Sequence, residues 1–407
     1  MPIFLAAWFG RNAETDLYYL LAAYFVFVAS VITGMFQDSG AVAVLIEVES
    51  NDPLRFRDVA GSLLGHTMAL SAAVATAMGA AAAVVVWSTS GARALAVELV
   101  VLMAVGAALT AVRAFYVGVL NARGMFSAHP QASGLGIALT WAVLYLGRRS
   151  IGVLSIPTAI LLGEVVAIAA LSVLVRRRLS LIIVPSLTRS EPVRRIFALA
   201  RFEVAGSLIT RINPVIDQVM SGWAGIVGGG TLVRYAGDVA SLPTSILQAV
   251  LFPVLLRRLA LEVGRPAFFR ATTRRTLAAV VASTGIFSAA LIGLRIPLCH
   301  ALFRHGAMDA ASVARIASIL PWALAGAAPF GALLVLARAH IALQNSRIMP
   351  GMGLLNAGLN AGLNAVLVGR LGLSGIALST SLTYFVVAVV FWARLPRDVS
   401  GLQRNAA

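Results

Sequence analysis

Apolar runs of membrane-spanning length recur along the chain, separated by short polar stretches; Leu95 to Leu109 and Leu277 to Leu294 are typical. A bilayer core needs about 20 mostly apolar residues per helix. Barrel strands would show shorter segments of alternating character. The runs here do not alternate and are rich in Ala, Leu and Gly, so they predict helices, which satisfy their backbone groups internally. About twelve segments follow, at roughly 1–9, 17–36, 59–87, 94–120, 132–147, 152–175, 196–221, 231–256, 276–303, 313–343, 348–368 and 373–394. At about 1.5 Å per residue the first is too short to span. Either the true start lies upstream of Met1 and encodes its remainder, or the first helix is itself clipped.

Composition agrees. The chain of 407 residues is 59% hydrophobic and 12% charged, with a mean hydropathy of +0.90. Soluble domains carry about 25% charge. The net charge of +16 comes from arginine alone, since the chain has no lysine. The arginines gather between apolar runs, which points to topology and away from nucleic acid. The single Cys299 excludes an internal disulfide framework, and the five histidines show no metal-ligand spacing. No cleavable signal is evident in "MPIFLAAWFG".

Loop charge orients the spans. Arg176–Arg178, Arg189, Arg194 and Arg195 fall in one loop, and Arg257, Arg258, Arg265, Arg270, Arg274 and Arg275 in another. The intervening loops "STSGAR" and "WAGIVGGGT" are poorer in charge, with Arg148–Arg149 as the exception. The positive-inside rule places the even-numbered loops and both termini in the cytoplasm. The chain also resembles itself. "VRAFYVGVLNARGMFSAHP" and "LARAHIALQNSRIMPG" share Arg-Ala, Asn-x-Arg and Pro, and Asn121 and Arg123 recur 224 positions later as Asn345 and Arg347. Two six-helix halves of the same orientation are expected. The division is 1–178 for an N-terminal lobe, 179–195 for a basic cytoplasmic linker, 196–395 for a C-terminal lobe and 396–407 for a cytoplasmic tail.

Candidate chemistry concentrates in "RINPVIDQVMSGWAG", where Arg211, Asn213, Pro214, Asp217 and Gln218 interrupt an apolar run. Ionisable residues inside a membrane are costly and usually mark a pathway. Asn213 and Asp217 share a helical face, as do Arg211 and Gln218. Pro214 is expected to kink the helix and free carbonyls near residue 210. Such a set suits a hard monovalent cation; an internal Arg211–Asp217 pair or a purely structural kink is the alternative. In "LLNAGLNAGLNAVL", Asn356, Asn360 and Asn364 recur every four residues on one face. They are either interhelical glue or, with Thr380, the rest of a cation site around Asp217. Gly358 and Gly362 are expected to admit a neighbouring helix. Arg113, Glu164 and Asp238 are further charges within apolar runs, and Arg113 and Glu164 are expected to pair.

On these residues the chain resembles the lipid II flippase (MurJ/MviN) family of the multidrug/oligosaccharidyl-lipid/polysaccharide exporter superfamily. "FGRNAETDLYYLLAAYF" resembles the family's first loop and second helix. "INPVIDQVMSGWAGIVGGGTLVRYAGDVASLPTSILQAVLFPVL" resembles its seventh and eighth helices. "LFRHGAMD", "LARAHIALQNSRIMP" and "GLNAVLVGRLGLSGIALSTSL" follow the ninth to twelfth. The resemblance implies an all-α membrane protein of two six-helix lobes around a cavity. It implies a cation site at Asp217, Asn360, Asn364 and Thr380, with a carbonyl from Ile376, and Na+ or H+ as coupling ion. The departures are specific. The chain begins after the first-helix arginines that meet pyrophosphate in the family, its second helix reads "VASVITGMF" without arginine, and Asp238 stands where the family has arginine.

The expected function is outward flipping of a lipid-linked, polyprenyl-pyrophosphate glycan across the bacterial inner membrane, a lipid II-like or exopolysaccharide unit. Arg113, Glu164, Arg211 and Asp238 are the expected cavity residues. The alternatives are a cation-coupled drug exporter of the same superfamily, or a non-transporting scaffold working with cell-envelope or polysaccharide biosynthesis proteins. No nucleophile–base or metal constellation appears, so no enzyme is expected.

Overall fold

The structure, a computed structural model, describes residues 2–37, 40–89, 93–125, 127–198, 211–250, 264–343, 345 and 348–395, with positions 255, 258, 259 and 262 besides. Among the described residues it is helical and contains no strand. Seven segments there are long and apolar enough to cross a membrane: Arg55–Val84, Arg93–Ala122, Gly152–Leu179, Pro266–Gly293, Ala310–Ala342, Met349–Leu371 and Leu373–Ala393. The seven are a count within the described residues alone: runs 17–36 and 132–147 also form unbroken helices, Ala13–Gln37 and Ala128–Gly147, and most of run 196–221 lies outside the described residues.

The chain divides into two compact units. One is Leu20–Ser207; the other joins Met1–Tyr19 to Leu208–Ala407. The sequence reading groups 1–178 together, whereas the first nineteen residues pack with the helices that follow 208.

The Leu20–Ser207 unit is built from most of α2 (Ala13–Gln37), then α3 (Gly40–Asn51), α4 (Pro53–Thr89), α5 (Arg93–Ala122), α6 (Ala128–Gly147) and α7 (Ser155–Leu179). Its core joins Phe56, Leu63, Phe115, Leu120 and Leu171. After α7, residues 181–190 run without helix and then turn into helical residues 191–198. Ser180 makes the exit from α7 in the left-handed region, φ 51°.

In the other unit, α1 (Pro2–Phe9) leads into α2. Asn12 begins α2 with a reciprocal cap: Thr15 N donates to Asn12 Oδ1 and Asn12 N to Thr15 Oγ1, both at 2.9 Å. The later helices are α8 (Asn213–Trp223), α9 (Gly229–Ala240), α10 (Leu242–Val250), α11 (Pro266–Gly293), α12 (Arg295–Phe303), α13 (Ala310–Leu324), α14 (Ala327–Ala342), α15 (Met349–Leu371) and α16 (Leu373–Ala393). Several hydrogen bonds hold the amino-terminal residues to this unit, those of Ala7 and Asp16 among them. Ala307 N donates to Ala7 O at 2.8 Å, just beyond α12. The Asp16 carboxylate accepts from Gly228 N (2.7 Å), Thr231 N (2.8 Å) and Thr231 Oγ1 (2.9 Å) where α9 begins. A carboxylate there satisfies amides that a helix start leaves without intrahelical partners.

Run 313–343 is broken between α13 and α14, where Pro321 lies in the last turn of α13 and Gly326 abuts Ser381. Run 276–303 breaks at Leu294. Asp309 caps α13 by accepting from Ser312 N at 2.9 Å. Two sequence expectations can be placed. Pro214 lies in the first turn of α8, directly after the bend at Ile212, where its missing N–H costs nothing; the carbonyls near residue 210 that it is expected to free lie outside the described residues. A Cβ on Gly358 or Gly362 would meet no atom within 4 Å, so no helix among the described residues approaches them closely. They lie two residues from the buried asparagines, about 200° round the helix, on the opposite face. The close approach comes instead at Gly375, where a Cβ would stand 2.4 Å from Leu367 O.

Candidate functional site

The buried face of α15 carries Asn356, Asn360 and Asn364, each fully buried. It packs against α8 and α16. Asn356 Nδ2 donates to Asn213 Oδ1 at 2.7 Å. One turn on along α8, Asp217 takes the same direction. Asn364 Nδ2 donates to Asp217 Oδ1 at 3.1 Å and to Asn360 Oδ1 at 3.1 Å. Asn360 Nδ2 donates to Thr380 Oγ1 at 2.9 Å, and Thr380 Oγ1 donates to Asp217 Oδ2 at 2.8 Å. The four side chains thus close a hydrogen-bonded ring around one carboxylate. Ser379 Oγ braces it from α16, donating to the Asn360 carbonyl at 3.0 Å. Ile376 is fully buried one turn before Thr380.

Both amide hydrogens of Asn364 are aimed at acceptors, which settles the orientation of its amide. Its Oδ1 is left buried without a partner. Gln218 repeats the pattern: Nε2 donates to Gly230 O at 3.1 Å, and Oε1 is buried and unpartnered. A buried acceptor is costly unless it meets a donor or a cation, so these two oxygens are acceptors that the site leaves free among the described residues.

Asp217 is half-buried and lines a cavity of about 370 Å³ with Gln218, Arg234, Asp238, Phe330 and Tyr384. Arg234 Nε pairs with Asp238 Oδ1 at 3.0 Å, one turn apart on α9, and Asp238 Oδ2 is buried and unpartnered. Arg234 and Tyr384 are absent from the sequence reading, although each stands four residues from a residue it does single out, Asp238 and Thr380. No ion pair joins Arg211 to Asp217 among the described residues. Arg211 is half-buried at the residue before the break at Ile212 and is not among the cavity's lining residues. In the Leu20–Ser207 unit, Arg113 Nε donates to Glu164 Oε2 at 2.6 Å between α5 and α7, their side chains 20% and 17% exposed. Among the described residues no group of three His, Cys, Asp or Glu is placed to hold a metal.

A family model described as lipid II flippase MurJ matches residues 5–406. No curated protein sequence matches the chain. Among solved structures, a lipid II flippase MurJ in an inward closed conformation superposes with a TM-score of 0.78 at 15% identity, covering 100% of this chain and 87% of that one. An inward-facing multidrug resistance MATE family transporter of the MOP superfamily gives 0.83 at 14% identity, covering 100% and 94%. A MOP superfamily transporter from Pyrococcus furiosus, whose binding pocket is described as of reverse polarity, gives 0.70 at 15% identity, covering 96% and 88%. At these identities the superpositions speak for the fold alone.

Proposed function

The chain belongs to the lipid II flippase MurJ family, and from that membership we propose that it moves a polyprenyl-pyrophosphate-linked glycan precursor across the bacterial inner membrane by alternating access. It is a multi-pass membrane transporter and not an enzyme. The observation that carries the mechanistic reading is the ring around Asp217. One carboxylate, two amides and a hydroxyl converge there, with the Asn364 oxygen left over. A carboxylate inside the membrane with an unpartnered amide oxygen beside it suits Na+ or H+ as the coupling ion. Asp217 and the Asn364 oxygen are the atoms that would hold it. An ion bound there would couple its transmembrane gradient to the cycle. The ring's own task is to aim the carboxylate and keep its charge matched by donors.

One observation favours a second reading, export of an organic cation. The cavity holds two carboxylates, Asp217 and Asp238, beside the aromatic rings of Phe330 and Tyr384, and its one cation, Arg234, is already paired. That lining receives a positive, partly apolar molecule better than a pyrophosphate.

The deciding experiment reconstitutes the protein in liposomes with a fluorescent polyprenyl-pyrophosphate glycan, with and without a sodium gradient, and in parallel with a fluorescent organic cation. Sodium-dependent flipping of the glycan lipid is the expected result. Accumulation of the organic cation with no glycan flipping would replace the first reading by the second.

A further inference from the structure

Residues 181–190 lie along α4 as a strap. Ser186 N donates to Gly61 O at 3.0 Å, and Ser62 Oγ donates to the Thr188 carbonyl. The α4 surface accepts the strap because Gly61 and Gly65 have no side chains. A Cβ on Gly61 would stand 2.5 Å from Val184 O, and one on Gly65 2.0 Å from Ser186 O. Over residues 181–184 the strap's side chains alternate as in an extended backbone. Leu181 and Ile183 pack on the core of the unit, whereas Ile182 and Val184 point outward, 55% and 60% exposed, followed by Leu187 at 66%.

Where the strap turns into helical residues 191–198, a cavity of about 540 Å³ opens between it and α4, lined by His66, Arg189, Ser190, Glu191, Arg194 and Phe197 among others. Neither Arg189 nor Arg194 is in an ion pair among the described residues, in contrast to Arg195, which pairs with Glu47 at 3.0 Å. Ser190 Oγ is buried without a partner. His66 Nδ1 donates to Ser62 O at 2.9 Å, which leaves Nε2 as its uncommitted nitrogen. Glu191 is the one carboxylate in the lining. Two unpaired guanidiniums and an orphaned hydroxyl are the donor set of a phosphate site. The exposed apolar residues of the strap adjoin it, and three further arginines, Arg176–Arg178, end α7 just before the strap. Outward apolar side chains beside clustered arginines are the signature of a segment lying at the bilayer surface.

We propose that this cavity binds the phosphate of an anionic phospholipid headgroup, with Arg189 and Arg194 as its cationic ligands and the apolar residues of the strap set among the acyl chains. Occupancy ties the strap to α4 and so stabilises the unit that contains both. The site lies wholly within Leu20–Ser207 and is independent of Asp217 and its cavity.

The test uses the full chain in a neutral detergent, titrated with short-chain phosphatidylglycerol, short-chain phosphatidylcholine or inorganic phosphate, with bound lipid counted by native mass spectrometry and thermal stability followed in parallel. Phosphatidylglycerol is expected to bind saturably and raise the melting temperature, and phosphatidylcholine and inorganic phosphate to bind at least tenfold more weakly. Arg189→Gln with Arg194→Gln, both exposed positions that leave the helices intact, is expected to weaken phosphatidylglycerol binding at least tenfold. Arg176→Gln with Arg177→Gln, outside the cavity, is expected to weaken it less than threefold. Equal losses in the two double variants would mean diffuse surface charge and would overturn the site. So would inorganic phosphate binding as tightly as the lipid, or undiminished lipid binding in the Arg189/Arg194 variant.

Discussion

Thr380 donates to Asp217 at 2.8 Å while accepting from Asn360 at 2.9 Å, so one hydroxyl joins the carboxylate of α8 to the asparagine face of α15. Every member of that ring is held by two others. The carboxylate is therefore oriented by neutral donors, with no arginine partner among the described residues.

Asp217→Asn tests what the charge does. Because Arg211 is not its partner, the change leaves no buried cation alone. The expected loss of stability is that of imperfect hydrogen bonding, about 1–2 kcal/mol. Had the two been paired, about 3–5 kcal/mol would be at stake. Transport measured in proteoliposomes should lose its sodium or proton dependence while the protein inserts and melts nearly as the parent does. Unchanged cation dependence in the variant would remove Asp217 from the coupling step.

Glycine substitutions along α15 and α16 should divide sharply. Gly375→Ala puts a Cβ 2.4 Å from the Leu367 backbone oxygen, and backbone cannot yield as a flexible side chain can. A destabilisation of about 1–3 kcal/mol is expected from overpacking. Gly358→Ala meets open space and should be neutral or stabilising by up to about 1 kcal/mol, since alanine is the better helix former. Thermal melting of the two purified variants is the check.

Arg113 and Glu164, at 2.6 Å and mostly buried, form a pair whose members depend on each other. Removing either charge alone, as in Glu164→Gln or Arg113→Gln, should cost about 3–5 kcal/mol by leaving its partner unpaired. The double variant should recover much of that loss. A double-mutant cycle on melting temperature and membrane expression measures the coupling, and additive losses would show that the two side chains stabilise the fold separately.

Loop charge predicts the sidedness of the chain. Accessibility tags at Pro185 and Gly264 should report the cytoplasm, and a tag at Gly228 the opposite side. Gly228 and Gly264 on one side would require a different number of crossings between them.

The sequence by itself determined the class and the local periodicities. Apolar run length and low charge require membrane helices, because a bilayer leaves unpaired backbone nowhere to go. The four-residue spacing of Asn356, Asn360 and Asn364 places them on one face of α15 whatever that helix packs against. Family resemblance brought Asp217 and Thr380 to the same site. The tertiary structure alone decided which groups meet. Asp217 bonds to Asn364 and Thr380, 147 and 163 positions away, with Arg211 no partner to it. Gly375 carries the close approach expected of Gly358 and Gly362. Residues 1–19 join the carboxy-terminal unit through Asp16 and Ala7. The strap at 181–190 reads in sequence as a basic linker, and only its seat on Gly61 and Gly65 reveals a cavity. The physical reason is common to all four. The helical period fixes which residues share a face, but a contact between elements depends on how each is rotated and shifted against its neighbour, and those degrees of freedom are settled by packing across the whole fold.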